Sequence, residues 1–307
     1  MKAYILTLLY TGMLFMTLEH VFSQKTSETD TAIFNREQVE QVEQKDRPRT
    51  TTKPILYLVG DSTVSSFKDP YYYPRYGYGT QLFHYFKDIE IVNLALSGRS
   101  SKSFIREQNY QNLIQNLKAG DFLLIGFGHN DEKPEEARYT NPQGSKEDPS
   151  SFKFYLYSYY IKLALDRGAT PILCTPIVRR NPAGLYKGTF VHITEDKPGY
   201  PGGDYAESIR QLGKELGVTV LDLCRRTQQL YEALGSEKTL YLHAWITDKA
   251  DSVDNTHLNR YGAAMVAFLL REELAQTNNP LKGYLLENSV TPSEHDFLTP
   301  NPQYRTP

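Results

Sequence analysis

The sequence predicts an α/β protein, specifically a three-layer α/β/α sandwich around a five-stranded parallel sheet. Five short apolar runs are mostly continuous and rich in Ile, Leu and Val. Such runs are typical of strands buried on both faces, because a half-exposed strand alternates apolar and polar residues. Segments with helical spacing of apolar residues lie between the runs, and a repeated strand-then-helix order is characteristic of this sandwich.

The elements can be placed in chain order. The predicted strands cover residues 55–59, 89–96, 122–127, 171–174 with 176–178, and 218–223. The predicted helices cover residues 79–87, 109–118, 152–167, 204–216 and 260–274. Ligands of open parallel sheets bind beyond the carboxyl ends of the strands. Polar residues at those ends are therefore the candidates for a functional site.

The ends of the chain differ from its middle. Residues 1–23 resemble an export signal, with Lys2 before a short apolar run and the small residues Val21 and Ser23 near the predicted cleavage point. Glu19 and His20 end the run before the length of about 20 residues that a membrane-spanning helix needs. We therefore expect a cleaved signal and a secreted or periplasmic protein with no membrane anchor.

The remaining chain divides into three parts. Residues 24–52 form a polar lead-in that is predicted to be flexible, residues 53–275 form the predicted catalytic domain, and residues 276–307 form a polar tail. Within the tail, residues 281–286 are apolar enough to dock back onto the domain.

Charge and cysteine content exclude some functions. The net charge of −2 gives no global attraction to nucleic acid, so nucleic acid is not an expected partner. Cys174 and Cys224 lie in or beside apolar runs, and we expect two buried free thiols, with a disulfide as the alternative in an exported protein. Neither has a nearby histidine, so they do not form a zinc site.

Polar blocks follow three successive strands and precede the last helix. The blocks are GDST at residues 60–63, SGRS at 97–100, GHND at 128–131 and DNTH at 254–257. Each block alone is weak, since a lone GDS is usually a turn and an Asn after a strand is often a helix cap. Their order at the predicted strand ends favours one shared site.

Together the four blocks resemble those of the SGNH or GDSL hydrolases, and within that group those of rhamnogalacturonan acetylesterases. The resemblance covers residues 53–275 and implies a flavodoxin-like SGNH hydrolase fold. The stretch PRYGYG at residues 74–79 is similar to a glycine-aromatic-glycine segment of that family, with Tyr78 where tryptophan is frequent. Arg179 and Arg180 resemble the segment after the fourth strand, although the loop that follows is longer here.

The resemblance implies a role for each block. Ser62 is the expected nucleophile, His257 the general base and Asp254 the residue that orients it. The N–H groups of Ser62 and Gly98 and the side-chain amide of Asn130 form the expected oxyanion hole. These residue types suit the chemistry, since a serine hydroxyl needs an adjacent base and a tetrahedral intermediate needs fixed donors. No cofactor or metal is expected.

Other residues carry weaker predictions. Arg99 and Tyr78 are predicted substrate contacts, with helix capping as the alternative for Arg99. His129 is expected to be a hydrogen-bonded structural histidine rather than a base. The loops at 68–78, 131–150 and 179–204 carry many tyrosines and several basic residues, which suits a cleft for an acidic polysaccharide.

We therefore expect a carbohydrate O-acetylesterase that acts on an acetylated polysaccharide or oligosaccharide, specifically pectic rhamnogalacturonan. One alternative is another SGNH esterase, such as a lipase or a deacetylase of xylan or peptidoglycan. A second alternative, from a different class, is a catalytically silent carbohydrate-binding module. The mostly small or polar residues near the blocks favour an acetyl group over a long acyl chain.

Overall fold

A computed structural model describes residues 48–67, 74–245 and 253–294. Five strands form one parallel sheet in the order β2-β1-β3-β4-β7, which confirms the predicted three-layer α/β/α fold. The strands are β1 (Ile55–Gly60), β2 (Glu90–Asn93), β3 (Phe122–Gly126), β4 (Thr170–Cys174), β5 (Ile193–Thr194), β6 (Gly203–Asp204), β7 (Thr219–Leu221), β8 (His243–Trp245) and β9 (Val253–Leu258). Strands β5 and β6 form one small antiparallel pair, and β8 and β9 form another.

The alternation of side chains along β1 explains the three layers. Leu56 and Leu58 pack into a core on one face of the sheet, whereas Ile55, Tyr57 and Val59 pack into a core on the other. Successive side chains of a strand point to opposite faces, so a strand that is apolar at every position needs a covering layer on both sides. The continuous apolar run in the sequence thus becomes the central strand of the sandwich.

The helices supply these two layers. They are α1 (Ser101–Phe104), α2 (Gln108–Asn116), α3 (Phe152–Tyr155), α4 (Lys162–Asp166), α5 (Tyr205–Leu216), α6 (Leu223–Lys238) and α7 (Arg260–Ala275). A π-helical segment, Leu156–Ile161, joins α3 to α4. Short 3-10 turns lie at Tyr78–His84, Gly188–Val191, Thr239–Leu242 and Pro280–Tyr284.

Two helical predictions differ from the structure. The helix predicted at 79–87 is the 3-10 turn Tyr78–His84. Helix α6 has no counterpart in the sequence prediction, because few of its residues are buried and these are mixed in character: Leu223, Cys224, Thr227 and Tyr231. The side chain of Asp222 begins this helix by accepting a hydrogen bond from the N–H of Arg225.

The folded domain extends beyond both predicted boundaries. Arg49 donates hydrogen bonds from its side chain to Asp121 at 2.7 Å and from its N–H to Asn116 Oδ1 at 2.8 Å, so the end of the lead-in is attached to the domain. At the other end, Leu281 is completely buried and the N–H of Leu286 donates to the carbonyl of Tyr85 at 2.9 Å. The segment 281–286 therefore docks onto the domain, which confirms the prediction from its apolar residues.

Three further points concern the cysteines, the predicted export signal and membrane-spanning helices. Cys174 and Cys224 are both buried and free, which confirms the prediction of two apolar thiols. The predicted export signal lies outside the residues that the structure describes. Among the helices of the described ranges, none is both long enough and apolar enough to cross a membrane.

The sheet order locates the site. From β1 the chain moves outward to β2 and then crosses back to β3 on the other side of β1. The connections that leave the carboxyl ends of β1 and β3 therefore diverge, and a crevice opens between them. Ser62 follows β1 and Asn130 follows β3.

Candidate functional site

The turn after β1 presents Ser62 above a buried carboxylate. Asp61 is completely buried and accepts hydrogen bonds from the N–H of Thr63 at 2.9 Å and from its hydroxyl at 2.8 Å. The other carboxylate oxygen accepts from the N–H of His129 at 3.2 Å. Asp61 thus ties the turn that holds Ser62 to the block that follows β3.

The Ser62 hydroxyl is unpaired with respect to the described residues. Ser62 is 5% exposed, and within the described part of the chain its Oγ makes no hydrogen bond, with the His257 ring or with any other group. Without substrate, such contacts between a nucleophile and its base are commonly long and shorten in the complex.

Two backbone N–H groups near Ser62 are free to bind a ligand. Neither the N–H of Ser62 nor that of Gly98 donates a hydrogen bond to another described residue. Gly98 has a φ of +78°, a left-handed conformation that favours glycine. The sequence-predicted donors therefore have the unpaired N–H groups that an oxyanion hole requires.

Arg138 fixes the orientation of the third predicted donor, the amide of Asn130. One guanidinium nitrogen of Arg138 donates to Asn130 Oδ1 at 3.0 Å and to the carbonyl of Gly98 at 3.3 Å. Asn130 Nδ2 donates to the carbonyl of Arg99 at 3.1 Å. Because a guanidinium only donates and a carbonyl only accepts, these partners assign the amide, and Nδ2 keeps a second hydrogen for a ligand.

A buried carboxylate also joins the second and third blocks. Asp131 accepts from the N–H of Ser101 at 3.1 Å, from the Ser101 hydroxyl at 2.5 Å and from the Thr140 hydroxyl at 2.9 Å. Burial raises the pKa of Asp131 to about 7, and the hydrogen bonds from Ser101 and Thr140 oppose the rise. Helix α1, which follows the Gly98 block, is in this way held against the Asn130 block.

Asp254 and His257 contact each other on a bulged strand. His257 Nδ1 lies 2.7 Å from Asp254 Oδ2, and Asp254 Oδ1 accepts from the N–H groups of Thr256 and His257 at 2.9 and 3.1 Å. Burial opposes ionisation of Asp254, but the hydrogen bond and charge of His257, with the two N–H groups, hold the pKa of its carboxyl below the usual range. The carboxylate can therefore stay charged and fix the proton on His257 Nδ1.

The bulge explains how residues three apart in a strand can meet. His243 pairs with Leu258 and Trp245 pairs with Val253, so the β9 side of the hairpin contains extra residues. Extra residues in one strand bend it and redirect its side chains. The spacing of Asp254 and His257 suggested one side of a turn, and the observed geometry is this local turn within a strand.

His243 supports the bulge from below. It is completely buried, and its Nδ1 lies 2.8 Å from the carbonyl of Asp254 and 3.1 Å from that of His257. Its Nε2 lies 2.8 Å from the hydroxyl of Tyr231. Since carbonyls only accept, Nδ1 carries the proton and the Tyr231 hydroxyl donates to Nε2.

Arg180 holds the same segment from the side. Its guanidinium donates to Asn255 Oδ1 at 2.9 Å, to the Thr239 hydroxyl at 3.0 Å and to the carbonyl of Ser236 at 2.7 Å. Its own N–H donates to the carbonyl of Asn255 at 2.9 Å. The bulge is thus attached to the end of helix α6 and to the segment after β4.

The hairpin faces the turn after β1. The N–H of Tyr76 donates to the carbonyl of Leu258 at 2.8 Å, and the Phe67 ring makes an edge contact with the His257 ring at 6.1 Å between centroids. Gly77 and Tyr78 in turn donate backbone hydrogen bonds to Ser65 and Thr63. The segment that contains Tyr76, Gly77 and Tyr78 therefore connects the backbone after Ser62 to the backbone after His257.

Tyr78 and His129 are both buried near the candidate site. Tyr78 was predicted to contact substrate, and that prediction is wrong, because its side chain is 2% exposed and packs in the core beneath the sheet. His129 is buried as expected, yet within the described residues neither ring nitrogen has a hydrogen-bond partner, so the expectation of a hydrogen-bonded ring is wrong. Burial, and then the charges of His192 and Arg179, lower the pKa of His129 well below its usual value.

Arg99 is held by its own neighbourhood. Its Nε donates to Glu107 at 2.9 Å and one terminal nitrogen donates to the carbonyl of Ser97 at 2.8 Å. The alternative of helix capping by Arg99 is wrong, because the side chain of Ser100 caps α1. A substrate contact by Arg99 stays a prediction.

Comparison with known proteins identifies the family of the chain. Residues 56–270 match the family of GDSL-like lipases and acylhydrolases. The chain belongs to this family. It is 35% identical to the rhamnogalacturonan acetylesterase RhgT of Bacillus subtilis over 76% of this chain and 95% of that protein. It is 32% identical to the probable rhamnogalacturonan acetylesterase YesY of the same organism, over 74% of this chain and 94% of that one.

A crystal structure of the YxiM protein of Bacillus subtilis is similar in fold. Its TM-score is 0.57 at 26% identity, and the match covers 74% of this chain and 58% of that chain. The family and these relatives show that the chain is an ester hydrolase. This confirms the class of enzyme predicted from the sequence.

Sequence reasoning missed three supporting residues of this esterase: Arg138, Arg180 as a support of the bulge, and His243. Each is an isolated polar residue that lies outside the four blocks. No sequence spacing or periodicity distinguishes it from other polar residues. Only the pairing of each with a site residue in the folded chain marks it.

We predict that Arg138→Gln lowers kcat for an aryl acetate about tenfold with little change in KM, because Asn130 loses the partner that orients its amide. Asn130→Ala should cost roughly a hundredfold or more, since it removes the donor itself. In the Asn130→Ala background Arg138→Gln should then have almost no further effect. Exposed Arg106→Gln is the matched control. Additive losses in the double variant would show that Arg138 acts elsewhere.

We also predict that His243 makes stability depend on pH. Burial lowers the pKa of His243 to about 4, although the carbonyls of Asp254 and His257 oppose the shift. An unfolded histidine titrates near pH 6.5, so the stability that the buried neutral ring contributes is complete above about pH 6.5 and is lost as pH falls toward 4. This group should remove about 2 kcal/mol from the free energy of unfolding between pH 7 and pH 5.

Urea denaturation at the two pH values measures this effect. In His243→Asn, which keeps a donor near the Nδ1 position but does not titrate, the loss between pH 7 and pH 5 should be smaller by that amount. His84→Asn, at an exposed histidine, should retain most of the wild-type pH dependence. Identical pH dependence in wild type and His243→Asn would contradict the assignment.

Proposed function

We propose that this esterase is a secreted carbohydrate O-acetylesterase that removes acetyl groups from pectic rhamnogalacturonan. The observation that carries the proposal is the 2.7 Å contact between Asp254 and His257, on a hairpin attached to the turn that holds Ser62. The similarity to two proteins named as rhamnogalacturonan acetylesterases supports the substrate.

In the proposed mechanism, Ser62 Oγ attacks the carbonyl carbon of the acetyl ester while His257 Nε2 takes the hydroxyl proton. Asp254 keeps the other proton on Nδ1 and stabilises the imidazolium. The negative oxygen of the tetrahedral intermediate accepts hydrogen bonds from the N–H groups of Ser62 and Gly98 and from Asn130 Nδ2. His257 then returns the proton to the sugar oxygen, which leaves, and the acetyl group remains on Ser62.

The second half of the cycle reverses these roles. A water molecule gives a proton to His257 and attacks the acetyl carbonyl, and the same donors stabilise the second tetrahedral intermediate. Collapse of this intermediate breaks the bond to Ser62 Oγ, which regains a proton from His257, and acetate is released. The chain's own residues supply every proton transfer in this scheme.

The surroundings of the candidate site support a polymer substrate. A polysaccharide cannot enter a closed pocket, so only its acetyl group needs to reach Ser62. Three loops were predicted to form a cleft. Loops 131–150 and 179–204 contribute to the lining of a cavity of about 810 Å³ beside the block that follows β3. Residues 68–73 of the third loop, 68–78, lie outside the residues that the structure describes. Export, which the first residues of the sequence predict, would bring the esterase to such polymers.

We predict that Ser62→Ala abolishes hydrolysis of aryl acetate with the fold intact, because the nucleophile is lost. His257→Ala should reduce turnover comparably, since the members of a triad act as a unit. An organophosphonate should label Ser62 in the wild type and nothing in Ser62→Ala, as peptide mass spectrometry can establish. Label on a different serine would overturn the mechanism, and glycan binding without any hydrolysis would indicate a binding module.

We further predict a preference among polymers. Acetate release from acetylated rhamnogalacturonan should exceed release from acetylated xylan and acetylated homogalacturonan at equal acetyl content. Aryl acetate should be hydrolysed faster than aryl octanoate, since small residues surround the site. Ser62→Ala is the blank for every substrate. A clear preference for xylan would overturn the substrate and leave the mechanism standing, whereas a preference for octanoate would indicate a lipase.

A further inference from the structure

A cleft adjoins the candidate site on the side of the block that follows β3. Its volume is about 810 Å³, and it lies between the loop after β3 and the long loop between β4 and α5. Glu132 and Lys133, which follow Asn130 closely in the sequence, form part of its wall. Arg179 lines it as well and donates to the carbonyl of His129 at 3.4 Å. The cleft therefore lies beside the block that contains Asn130.

The charged side chains of the cleft are mainly basic. Lys133, Arg179, Lys187 and Lys197 line it, against the two acidic residues Glu132 and Glu195. The carboxylate of Glu132 is already engaged, since it forms an ion pair with Arg179 and lies 3.2 Å from His192 Nδ1. The cleft is thus locally positive in a chain whose net charge is −2.

Lys133 is the basic residue nearest to the candidate site in the sequence. No ion pair or side-chain hydrogen bond joins its ammonium group to any other residue of the described ranges. Partial loss of solvent, and then the like charge of Arg179, lower the pKa of Lys133. The charges of Glu132 and Glu135 oppose this lowering only in part. An anion bound here would oppose it further, because an adjacent negative charge favours the charged ammonium group.

Two tyrosines also line the cleft. The rings of Tyr139 and Tyr200 meet edge to face at 4.9 Å, and the Tyr139 hydroxyl donates to the carbonyl of Pro201. This contact fixes the two rings relative to each other. Fixed aromatic side chains offer flat apolar surface of the kind that packs on a sugar ring.

We propose that this cleft is a subsite for a uronate residue of the polymer, in which Lys133 binds the carboxylate and Tyr139 and Tyr200 contact the sugar ring. The subsite holds the chain on the Asn130 side of the candidate site while a neighbouring acetylated sugar reaches Ser62. This inference rests on the proposed function and deepens it, because it names the part of the substrate that is recognised and the residue that recognises it.

The test measures binding separately from turnover. Deacetylated rhamnogalacturonan oligosaccharides inhibit aryl acetate hydrolysis competitively if they occupy the cleft, and their inhibition constant reports their affinity. Lys133→Gln should raise this constant about tenfold, since a hydrogen bond between charged groups contributes about that factor. The matched control is Lys118→Gln, an exposed lysine before β3 at the opposite edge of the sheet, which should leave the constant unchanged.

Carboxyl-reduced oligosaccharides complete the test. They should inhibit the wild type as weakly as the native oligosaccharides inhibit Lys133→Gln, and Lys133→Gln should not distinguish the two. Equal inhibition of the wild type by native and reduced oligosaccharides would overturn the subsite, as would an unchanged constant in Lys133→Gln.

The two proposals fail in different ways. If acetylated rhamnogalacturonan releases acetate but Lys133→Gln binds the oligosaccharides normally, the proposed function stands and the subsite is wrong. If the carboxylate dependence is present but no pectic polymer releases acetate, the subsite stands and the proposed substrate is wrong.

Discussion

The parallel strands of this fold end inside the protein. The polar groups that follow their carboxyl ends are therefore buried and must form hydrogen bonds with other protein groups. The carboxylates of Asp61 and Asp131 meet this requirement. Asp61 accepts hydrogen bonds from its own block and from the block after β3, Asp131 accepts from Ser101 at the start of α1 and from Thr140, and both carboxylates are completely buried. An unpaired polar group in such a place would cost about 1–3 kcal/mol, so these contacts fix the relative positions of the blocks.

The same requirement makes the candidate site rigid where chemistry needs rigidity. The amide of Asn130 and the ring of His257 each have one side held by the protein and one side left for a ligand. Their supports, Arg138 and His243, bridge two acceptors each. A donor that is already oriented needs no reorganisation when charge develops, and this is the main advantage of a preorganised site over water.

Much of the fold could be predicted from the sequence because its signals are repetitive. Apolar runs without alternation identified the sheet, since burial on both faces leaves no polar position. The supporting contacts could not be predicted, because Arg138 and His243 are isolated polar residues. Arg138 contacts Gly98, which is distant in sequence, and His243 contacts carbonyls whose positions depend on the bulge in β9. Tyr78 shows the related difficulty that a tyrosine suits a core and a sugar surface equally well, and only packing decides between them.

The bulge of β9 illustrates why the spacing of the two acid–base residues was informative while its geometry was not. A separation of three residues is compatible with a helical turn and with a local turn in a strand. The choice depends on the pairing of β8 with β9, which involves residues outside the DNTH block. Sequence blocks therefore identify the chemistry of the site, and the remaining chain decides its shape.

The docked end of the chain has a consequence for the order in which the protein can form. The Tyr85 hydroxyl lies 3.4 Å from the carbonyl of Ala264, a residue 179 positions later, and the N–H of Leu286 reaches back to Tyr85 itself. One face of the sheet therefore lacks its covering helix and its final strap until the last part of the polypeptide has been synthesised. The nascent chain therefore exposes apolar surface during a long part of its synthesis. Chaperones can bind this surface until the last helix covers it.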